Sequence, residues 1–337
     1  MNRTENFARI LINELVEKDK SKGDVRISHK RNGIDSSNLN DADEIWKLFV
    51  RYNLDSGGMK SKTVEDNWNT IPNHSILKQR KELVQDILAL KQKFISGPLD
   101  CYSNLSENCP MTFSNGSGFK NVTCLDVKVI DICPVVEITK EIGWHRMHYK
   151  IAKIVVECAR RLLIEDNIGK QNGNLNDVVF SIFNDYKYGG DDWKTRATKE
   201  LILRFDNIKG YGRPPKVIIW MLSELSSPVH QVNHWPDVDL SQLTPVDTHV
   251  QRLMVRFGFL PSNLASAENI NRRLNELYPE EPRNLDFALY RLGGELEESI
   301  CRKDPDCKTC GERFPNIYKE CPNRNNESHN APGKRVA

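Results

Sequence analysis

The fold is decided by one stretch, Ile208-Lys209-Gly210-Tyr211-Gly212-Arg213, which runs on into Val217-Ile218-Ile219-Trp220-Met221-Leu222. This pattern predicts a helix, a tight Gly-x-Gly turn and a second, apolar helix. Glycine permits the positive φ of such a turn and lets another backbone come close. The amides at the start of the second helix carry the positive end of its dipole, so the turn is suited to bind a phosphate.

The same region closes with a lone carboxylate at a helix start, Thr244-Pro245-Val246-Asp247-Thr248-His249-Val250-Gln251-Arg252-Leu253. One interpretation makes Asp247 an ordinary N-cap, because aspartate accepts hydrogen bonds from the first amides of a helix. The other interpretation makes it a catalytic carboxylate. The hairpin before Asp247 and the cysteines after it favour catalysis.

The hairpin and the segment Val246-Asp247-Thr248-His249 together resemble the helix-hairpin-helix (HhH-GPD) DNA glycosylase superfamily, and within it the endonuclease III-like enzymes. The resemblance extends to about residue 321. It implies an all-α fold with an HhH-GPD helical core. It also implies a DNA glycosylase of base excision repair, which hydrolyses the N-glycosidic bond of a damaged or mispaired base. The expected partner is double-stranded DNA containing damaged or mismatched bases, bound by a monomer.

The resemblance gives the residues their roles. Breaking an N-glycosidic bond builds positive charge on the sugar, and the Asp247 carboxylate would stabilise this charge and orient the nucleophile. The base would be flipped into a pocket beside Asp247. The candidates to stack on the base, which are equally typical of a core, are Trp144, Tyr211 and Trp220. The residues expected to hold the DNA backbone without reading its sequence are Lys209, Gly210, Tyr211, Gly212 and Arg213.

Lyase activity depends on a lysine. Bifunctional members of the family carry it directly after the hairpin, where it attacks C1′ and forms a Schiff base. Here that position is Pro214, followed by Pro215 and Lys216. Proline suits the first turn of a helix, and Lys216 reaches the pocket only if the helix starts later. AP lyase activity is therefore left open, with Lys216 as the candidate nucleophile.

Four cysteines follow near the C-terminal end, separated by five, two and ten residues: Cys301, Cys307, Cys310 and Cys321. Four thiolates can surround one tetrahedral centre, and a Cys-x-x-Cys pair supplies two of them from one turn. Endonuclease III-type enzymes end in a similar loop of different spacing, so the resemblance implies a structural [4Fe-4S] cluster. Zn²⁺ is the alternative, because spacing alone does not separate the two. The loop also holds cations that either contact DNA or are simply solvated: Lys303, Lys308 and Arg313.

Composition and charge set the class of protein. The chain has 337 residues, of which 39% are hydrophobic and 28% charged, with a net charge of +2. These values predict a soluble globular protein whose basic face is local. No apolar run approaches the roughly 20 residues of a membrane span. The N-terminal residues are not followed by the apolar segment of a secretion signal, so none is expected here. We expect an intracellular protein, cytoplasmic or nucleoid-associated, with no membrane partner. Its nine cysteines suggest thiols or metal ligands.

Periodicity and composition organise the chain into segments. They are an N-terminal helix and linker (1–40), the first core helices (41–96), an insertion (97–140), the core with hairpin and Asp247 (141–300), the metal loop (301–321) and a disordered tail (322–337). Asp41 predicts a helix start. Further amphipathic helices are predicted at 5–19, 76–95, 149–163, 176–188, 192–205, 248–257, 266–277 and 285–299.

The insertion differs in texture from the rest. Its alternating segment, residues 122–136, predicts two short strands. Its cysteines offer either a second metal site or buried thiols, and they are Cys101, Cys109, Cys124 and Cys133. A later loop, residues 226–243, contains His230 and His234, which either bind a metal or lie at the surface.

Two other functions stay open. A non-catalytic helix-hairpin-helix protein that recognises damaged or abasic DNA is favoured by the displaced lysine. It is also favoured by Ser56-Gly57-Gly58, which replaces the family's Leu-Ser-x-Gln turn, whose glutamine fills the space of the extruded base. The intact Val-Asp-Thr-His segment favours the enzyme. A zinc-stabilised helical protein unrelated to DNA would show no salt-dependent binding to duplex DNA.

Overall fold

Helices make up almost all regular structure in the described part of the chain. The computed structural model describes residues 3–18, 39–55, 61–94, 112–113, 122–123, 133–165, 173–206, 216–226, 235–236, 238–239, 244–294 and 299–324. The prediction of an all-α fold is confirmed for these residues. Their regular β structure is one antiparallel pair, β1 (Thr112–Phe113) and β2 (Val122–Thr123). None of the described helices is both long and apolar enough to cross a membrane.

In chain order, the first helices are α1 (Arg3–Ile12), α2 (Ala42–Leu54), α3 (Ser61–Thr70), α4 (Arg80–Phe94), α5 (Pro134–Glu141), α6 (His148–Cys158), α7 (Leu175–Tyr186), α8 (Trp193–Asp206) and α9 (Lys216–Ser226). They are followed by α10 (Thr248–Arg256), α11 (Ala267–Leu277), α12 (Pro282–Gly293), α13 (Cys307–Arg313) and α14 (Pro315–Glu320). A π-helical turn continues α1 over Asn13–Glu17 and another continues α6 over Ala159–Glu165, and Ser262–Leu264 is a 3-10 turn.

The chain divides into two units. Unit 1 consists of Met1–Val25 and Asp239–Ala337, and unit 2 of Arg26–Val238. Helix α1 therefore folds with α10 to α14, which lie far from it in sequence, and not with the helices that follow it directly.

The core of unit 1 forms around α1. This helix packs against α11, α12 and α14 and buries its apolar stripe, which includes Phe7 and Leu11. The Phe7 ring meets Phe257 edge to face, with 5.1 Å between centroids, and lies 6.1 Å from Phe259. Removal of a buried phenylalanine costs about 3–5 kcal/mol, so this aromatic cluster holds α1 in unit 1.

The core of unit 2 forms around α2, which packs against α4, α6, α7 and α9. Asp41 starts this helix, because its Oδ1 accepts a hydrogen bond from the Asp43 amide at 2.7 Å. Acids in the first turn and Arg51 in the last turn suit the helix dipole. The buried face includes Trp46 and Phe49, whose rings lie 5.1 Å apart. The helix start predicted at Asp41 is confirmed.

A carboxylate is fully buried in unit 2. Glu157 is 0% exposed, and it accepts hydrogen bonds from Arg160 Nε at 2.7 Å and from Arg160 Nη2 at 2.6 Å. Arg161 Nε donates to it at 2.5 Å. A buried charge is tolerated only when such partners compensate for lost hydration, so the two arginines are structural.

Two predicted helix boundaries are wrong. The helix expected at 76–95 begins at Arg80, because Ile76 and Leu77 belong to a buried turn. In this turn Ser75 Oγ accepts from the Leu77 amide at 3.0 Å and donates to Glu141 Oε2 at 2.6 Å. The helix expected at 285–299 is α12, which begins earlier and ends at Gly293. Buried apolar residues at either end imitated the stripe of a longer helix.

The insertion contains two short strands, as predicted, but only one of the two lies in the alternating segment. Residues 122–123 do form a strand, but their partner is Thr112–Phe113, upstream of the alternating segment. That segment ends in α5, which begins at Pro134 after the N-cap Cys133. Val135 and Ile138 are buried on this helix. A proline in the first helical position and apolar residues three apart explain the helix, and they outweigh the alternation.

Candidate active site and cysteine loop

Asp247 lies at the start of α10. Its Oδ1 accepts hydrogen bonds from the amides of His249 and Val250, both at 2.8 Å. The preceding turn is closed by the Val246 amide, which donates to the Thr244 carbonyl at 2.8 Å. The Asp247 side chain is partly exposed. The N-cap interpretation is confirmed, and the two amide donors hold the carboxylate in one orientation.

A cation lies little more than one turn along the same helix. Arg252 Nη2 donates to the Gly293 carbonyl at 2.6 Å and so ties α10 to the end of α12. Burial lowers the pKa of Arg252, and the charge of Arg256 lowers it further, while the charges of Cys301 and Asp247 act in the opposite direction. The Arg252 guanidinium thus interacts electrostatically with both the candidate catalytic carboxylate and the first of the four cysteines.

The four cysteines of the predicted metal loop lie together in unit 1. Cys301 precedes α13, Cys307 and Cys310 lie within α13, and Cys321 follows α14. All four are of intermediate exposure, and none is in a disulfide. Burial raises the pKa of Cys310 to about 12, and the charges of the other three thiolates contribute to the increase. Burial likewise raises the pKa of Cys321, with contributions from Cys301 and Cys307. The four sulfurs are therefore close enough to repel one another when ionised.

The donor set fits a thiophilic metal centre. Four partly buried thiols, none in a disulfide, are the ligands of tetrahedral Zn²⁺ and of iron–sulfur clusters. A bound cation would offset the part of the pKa increase of Cys310 and Cys321 that comes from the neighbouring thiolates. Among the described residues, however, no three His, Cys, Asp or Glu side chains are already grouped tightly enough to hold one ion. The chemistry of the donors thus fits a metal.

Lys216 is the first residue of α9, and its side chain is exposed. Pro214 and Pro215 lie outside the described residues. Lys216 belongs to unit 2 and Asp247 to unit 1. The predicted DNA contacts Lys209, Gly210, Tyr211, Gly212 and Arg213 lie outside the described residues.

The aromatic candidates have different surroundings. Trp220 is partly buried on α9, and its ring meets Tyr52 of α2 edge to face with 4.9 Å between centroids. Trp144 lies in the turn between α5 and α6, 5.6 Å from the ring of His145. The buried Trp144 Nε1 has no hydrogen-bond partner within the described ranges. Trp220 thus packs against another helix of unit 2. Trp144, in contrast, has a buried N–H group whose hydrogen bond is unmade within the described ranges.

A basic helix start was missed in the sequence. Residues 142–156 contain no acid, and they span the start of α6, where the N-cap Met147 makes no side-chain cap and the first turn has no Asp or Glu. Arg146 and Lys150 are exposed there, and Lys153 Nζ lies 4.9 Å from the Tyr149 ring centroid. Cations at the positive end of a helix dipole destabilise it, so the fold gains nothing from this arrangement. The signal that could have revealed it is the acid-free run.

Next to this helix start, a histidine is fixed as a structural residue. His145 is 0% exposed, and its Nε2 donates to the Leu54 carbonyl at 2.9 Å. Its Nδ1 accepts from the Met147 amide at 3.0 Å. This pair of bonds requires the neutral imidazole with its proton on Nε2, and it anchors the turn to α2.

The remaining candidates resolve as follows. Cys133 is a buried thiol that is not in a disulfide. The other cysteines of the insertion lie outside the described residues, as do two histidines of the later loop: Cys101, Cys109, Cys124, His230 and His234. Trp235 of that loop is buried, and its Nε1 donates to Asn176 Oδ1 at 2.7 Å. The segment around Trp235 is thus part of the core of unit 2.

Comparison with known proteins gives one match. The model of a family described as "Protein of unknown function (DUF2400)" matches residues 217–295. This range includes α9 beyond its first residue and Asp247, and it stops before Cys301. No curated protein and no solved structure matches the chain.

Proposed function

We propose that this protein is a DNA glycosylase of base excision repair, with the Asp247 carboxylate as its catalytic group. The observation that carries the proposal is the state of Asp247 at the start of α10. It is partly exposed, oriented by two amides at 2.8 Å, and set in the segment Val246-Asp247-Thr248-His249. A carboxylate held rigidly in this way can face developing positive charge without reorganising.

The chemistry needs few groups. As the N-glycosidic bond breaks, the sugar becomes oxocarbenium-like, and a nearby carboxylate lowers the energy of that state. The same group can orient water or take its proton. Asp247 caps α10 through Oδ1, and we assign its carboxylate charge to the developing positive charge on the sugar.

Binding to DNA is supported by the basic start of α6. Arg146 and Lys150 are exposed beside a helix N-terminus whose first turn has no Asp or Glu. A phosphate at this position would be attracted by the cations and by the helix dipole together. Trp144 and Tyr149 add aromatic surface of the kind that stacks on bases. The predicted hairpin at 208–213 supplies a second phosphate contact.

The lyase step and the metal are parts of the same proposal. Lys216, exposed at the first position of α9, is the candidate for Schiff-base formation with the abasic product. Cys301, Cys307, Cys310 and Cys321 would hold a [4Fe-4S] cluster, or Zn²⁺ as the alternative. Once bound, such a centre would cross-link this segment and stabilise it.

A panel of lesion-bearing and mismatched duplexes tests the proposal. Wild-type protein and Asp247→Asn are incubated with each duplex, and products are resolved with and without alkali. Base release by the wild type that Asp247→Asn lacks supports the glycosylase. A borohydride-trapped adduct that disappears in Lys216→Gln adds lyase activity, whereas an adduct that persists assigns the nucleophile elsewhere.

A second candidate function is favoured by one observation. Because Asp247 is accounted for as an N-cap, the fold can use it without catalysis. The alternative is a non-catalytic helix-hairpin-helix protein that recognises damaged or abasic DNA. Salt-dependent binding to abasic duplexes, together with no base release from any lesion of the panel, would establish the alternative and overturn the enzyme.

A further inference from the structure

The four-cysteine segment is tied at both ends to a single residue of α10. Arg256 is the last residue of this helix. Its Nη1 donates to the Arg302 carbonyl at 2.6 Å and its Nη2 to the Lys303 carbonyl at 2.9 Å. Its own carbonyl accepts a hydrogen bond from Asn323 Nδ2. The guanidinium thus holds the residues after Cys301, and the carbonyl holds a residue just after Cys321.

The same guanidinium reaches a sulfur. Arg256 Nη1 lies 3.4 Å from Cys301 Sγ and 3.5 Å from the Cys301 carbonyl. An N–H donor at this distance from sulfur is a hydrogen bond of the kind that orients metal-bound thiolates and tunes their metal. Arginine suits the position because its planar fork can serve several acceptors at once, whereas lysine offers a single point charge.

We infer that Arg256 is the positioning residue of the cysteine loop. It is hydrogen-bonded near both ends of the segment, after Cys301 and after Cys321, and it hydrogen-bonds the sulfur of Cys301. This inference rests on the proposed metal centre and assigns a role to a residue that is not itself a ligand. The segment between Cys301 and Cys321 is long, so closing it without a tie costs conformational entropy. Arg256 pre-organises that closure before metal arrives.

Asn323 is the partner in this tie. Its side chain donates to the Arg256 carbonyl at the far end of the loop, two residues after Cys321. If both residues serve the same closure, removing either should have a similar effect, and removing both should cost less than the sum of the two.

Cobalt binding by the full-length chain tests the inference. The reduced, metal-free protein is titrated with Co²⁺ under anaerobic conditions, and the thiolate-to-cobalt charge-transfer absorbance reports the number of sulfur ligands. Arg256→Gln is expected to bind Co²⁺ on the order of tenfold more weakly, with a weaker charge-transfer band because Cys301 is less often a ligand. Arg256→Lys should lie between Arg256→Gln and the wild type, and Asn323→Ala should weaken binding in the same direction.

The control is Arg272→Gln. Arg272 is exposed on α11 in the same unit and donates to Asn269 Oδ1 at 2.8 Å, so this variant removes one positive charge away from the cysteines. Circular dichroism of each metal-free variant separates misfolding from loss of closure. Equal Co²⁺ affinity and equal spectra for the wild type, Arg256→Gln and Arg256→Lys would overturn the role of Arg256. A wild-type protein that binds no Co²⁺ and is purified without iron or zinc would instead overturn the metal centre itself, and this inference with it.

Discussion

Helices α10 and α6 begin in opposite ways. Asp247 satisfies the first amides of α10 with two hydrogen bonds of 2.8 Å. At the start of α6, Met147 provides no cap, and Arg146 and Lys150 place positive charge at the positive end of the dipole. Both starts have two amides bonded within the protein, because His145 accepts from the amides of Met147 and His148 at the start of α6. The difference is one of charge: a carboxylate lies at the positive end of the α10 dipole, whereas cations flank that of α6, where an anion would be favoured. An aspartate at a helix start is accounted for by the hydrogen bonds that it accepts, whereas cations at a helix start are better accounted for by a bound anion.

The largest expected effect is on the rate of base release and concerns Asp247, at the start of α10. Asn keeps an oxygen that can cap a helix, so Asp247→Asn should preserve α10 while removing the charge that faces the sugar. We expect base release to fall on the order of a hundredfold or more, measured as single-turnover rates on the best duplex. Asp41→Asn is the matched control, because Asp41 caps α2 through the Asp43 amide in the same manner. Equal rates for wild type and Asp247→Asn would reduce Asp247 to a cap.

A substitution at the start of α6 should change the affinity for duplex DNA. Lys150→Glu reverses a charge in the first turn of α6, so its affinity for duplex DNA should fall roughly tenfold, the equivalent of about 1.4 kcal/mol. The slope of log K against log salt should decrease by about one for each phosphate that the variant no longer neutralises. Fluorescence anisotropy at several salt concentrations measures both quantities. Lys81→Gln, on the exposed surface of α4, serves as the control, and an unchanged slope in Lys150→Glu would remove α6 from the DNA surface.

The free energy of unfolding should fall for a substitution at the start of α10 and rise for one at the start of α6. Asp247→Ala removes a cap and is expected to cost about 1 kcal/mol. Lys150→Glu places an acid in the first turn of α6 and is expected to stabilise the fold by about 0.3–1 kcal/mol. Denaturant unfolding of the metal-free chain gives both values. A variant that binds DNA worse while folding better would show that α6 gives up stability for binding, whereas a destabilised Lys150→Glu would contradict the comparison.

The smallest effect concerns the pH dependence of stability and one carboxyl group, Glu137, which lies near another acid. Burial raises the pKa of Glu137 on α5, and the charge of Asp86 on α4 raises it further. A carboxyl whose pKa is raised in the folded state destabilises the fold while charged. This penalty is fully present above the raised pKa and is relieved as the pH falls towards the ordinary value of 4.5.

Glu137→Gln should therefore be more stable than the wild type at pH 7, and the difference should shrink as the pH approaches 4.5. Urea unfolding at a series of pH values measures this difference. Asp66→Asn, exposed on α3, controls for the loss of one negative charge. A difference that grows on acidification would mean that Glu137 is stabilised, not strained, by its surroundings.

Local chemistry was predictable from the sequence, and long-range packing was not. The caps at Asp41 and Asp247 follow from residue type and position, because aspartate competes well for the first amides of a helix. The association of α1 with α10 to α14 has no local signal. It depends on contacts such as that between Phe7 and Phe257, which only the folded chain brings together.

The candidate site was predictable in the same uneven way. The cysteines and Asp247 were visible as motifs. The role of Arg256 was not, since an arginine at the end of an amphipathic helix is ordinary until its carbonyl partners are known. One helix boundary and one strand prediction failed for a related reason. Ile76 and Val135 are buried apolar residues, and an apolar residue can be buried by a turn, a strand or a helix.

The composition of unit 1 has a consequence for biosynthesis. Helix α1 is made more than two hundred residues before its partners in the segment that begins at Asp239. At translation rates of about 5–20 residues per second, its apolar stripe waits on the order of ten seconds or longer. Meanwhile the whole of unit 2 emerges between the two halves of unit 1. Nascent chains stalled before Asp239 should present Phe7 and Leu11 to chaperones, and those extended through α12 should conceal them.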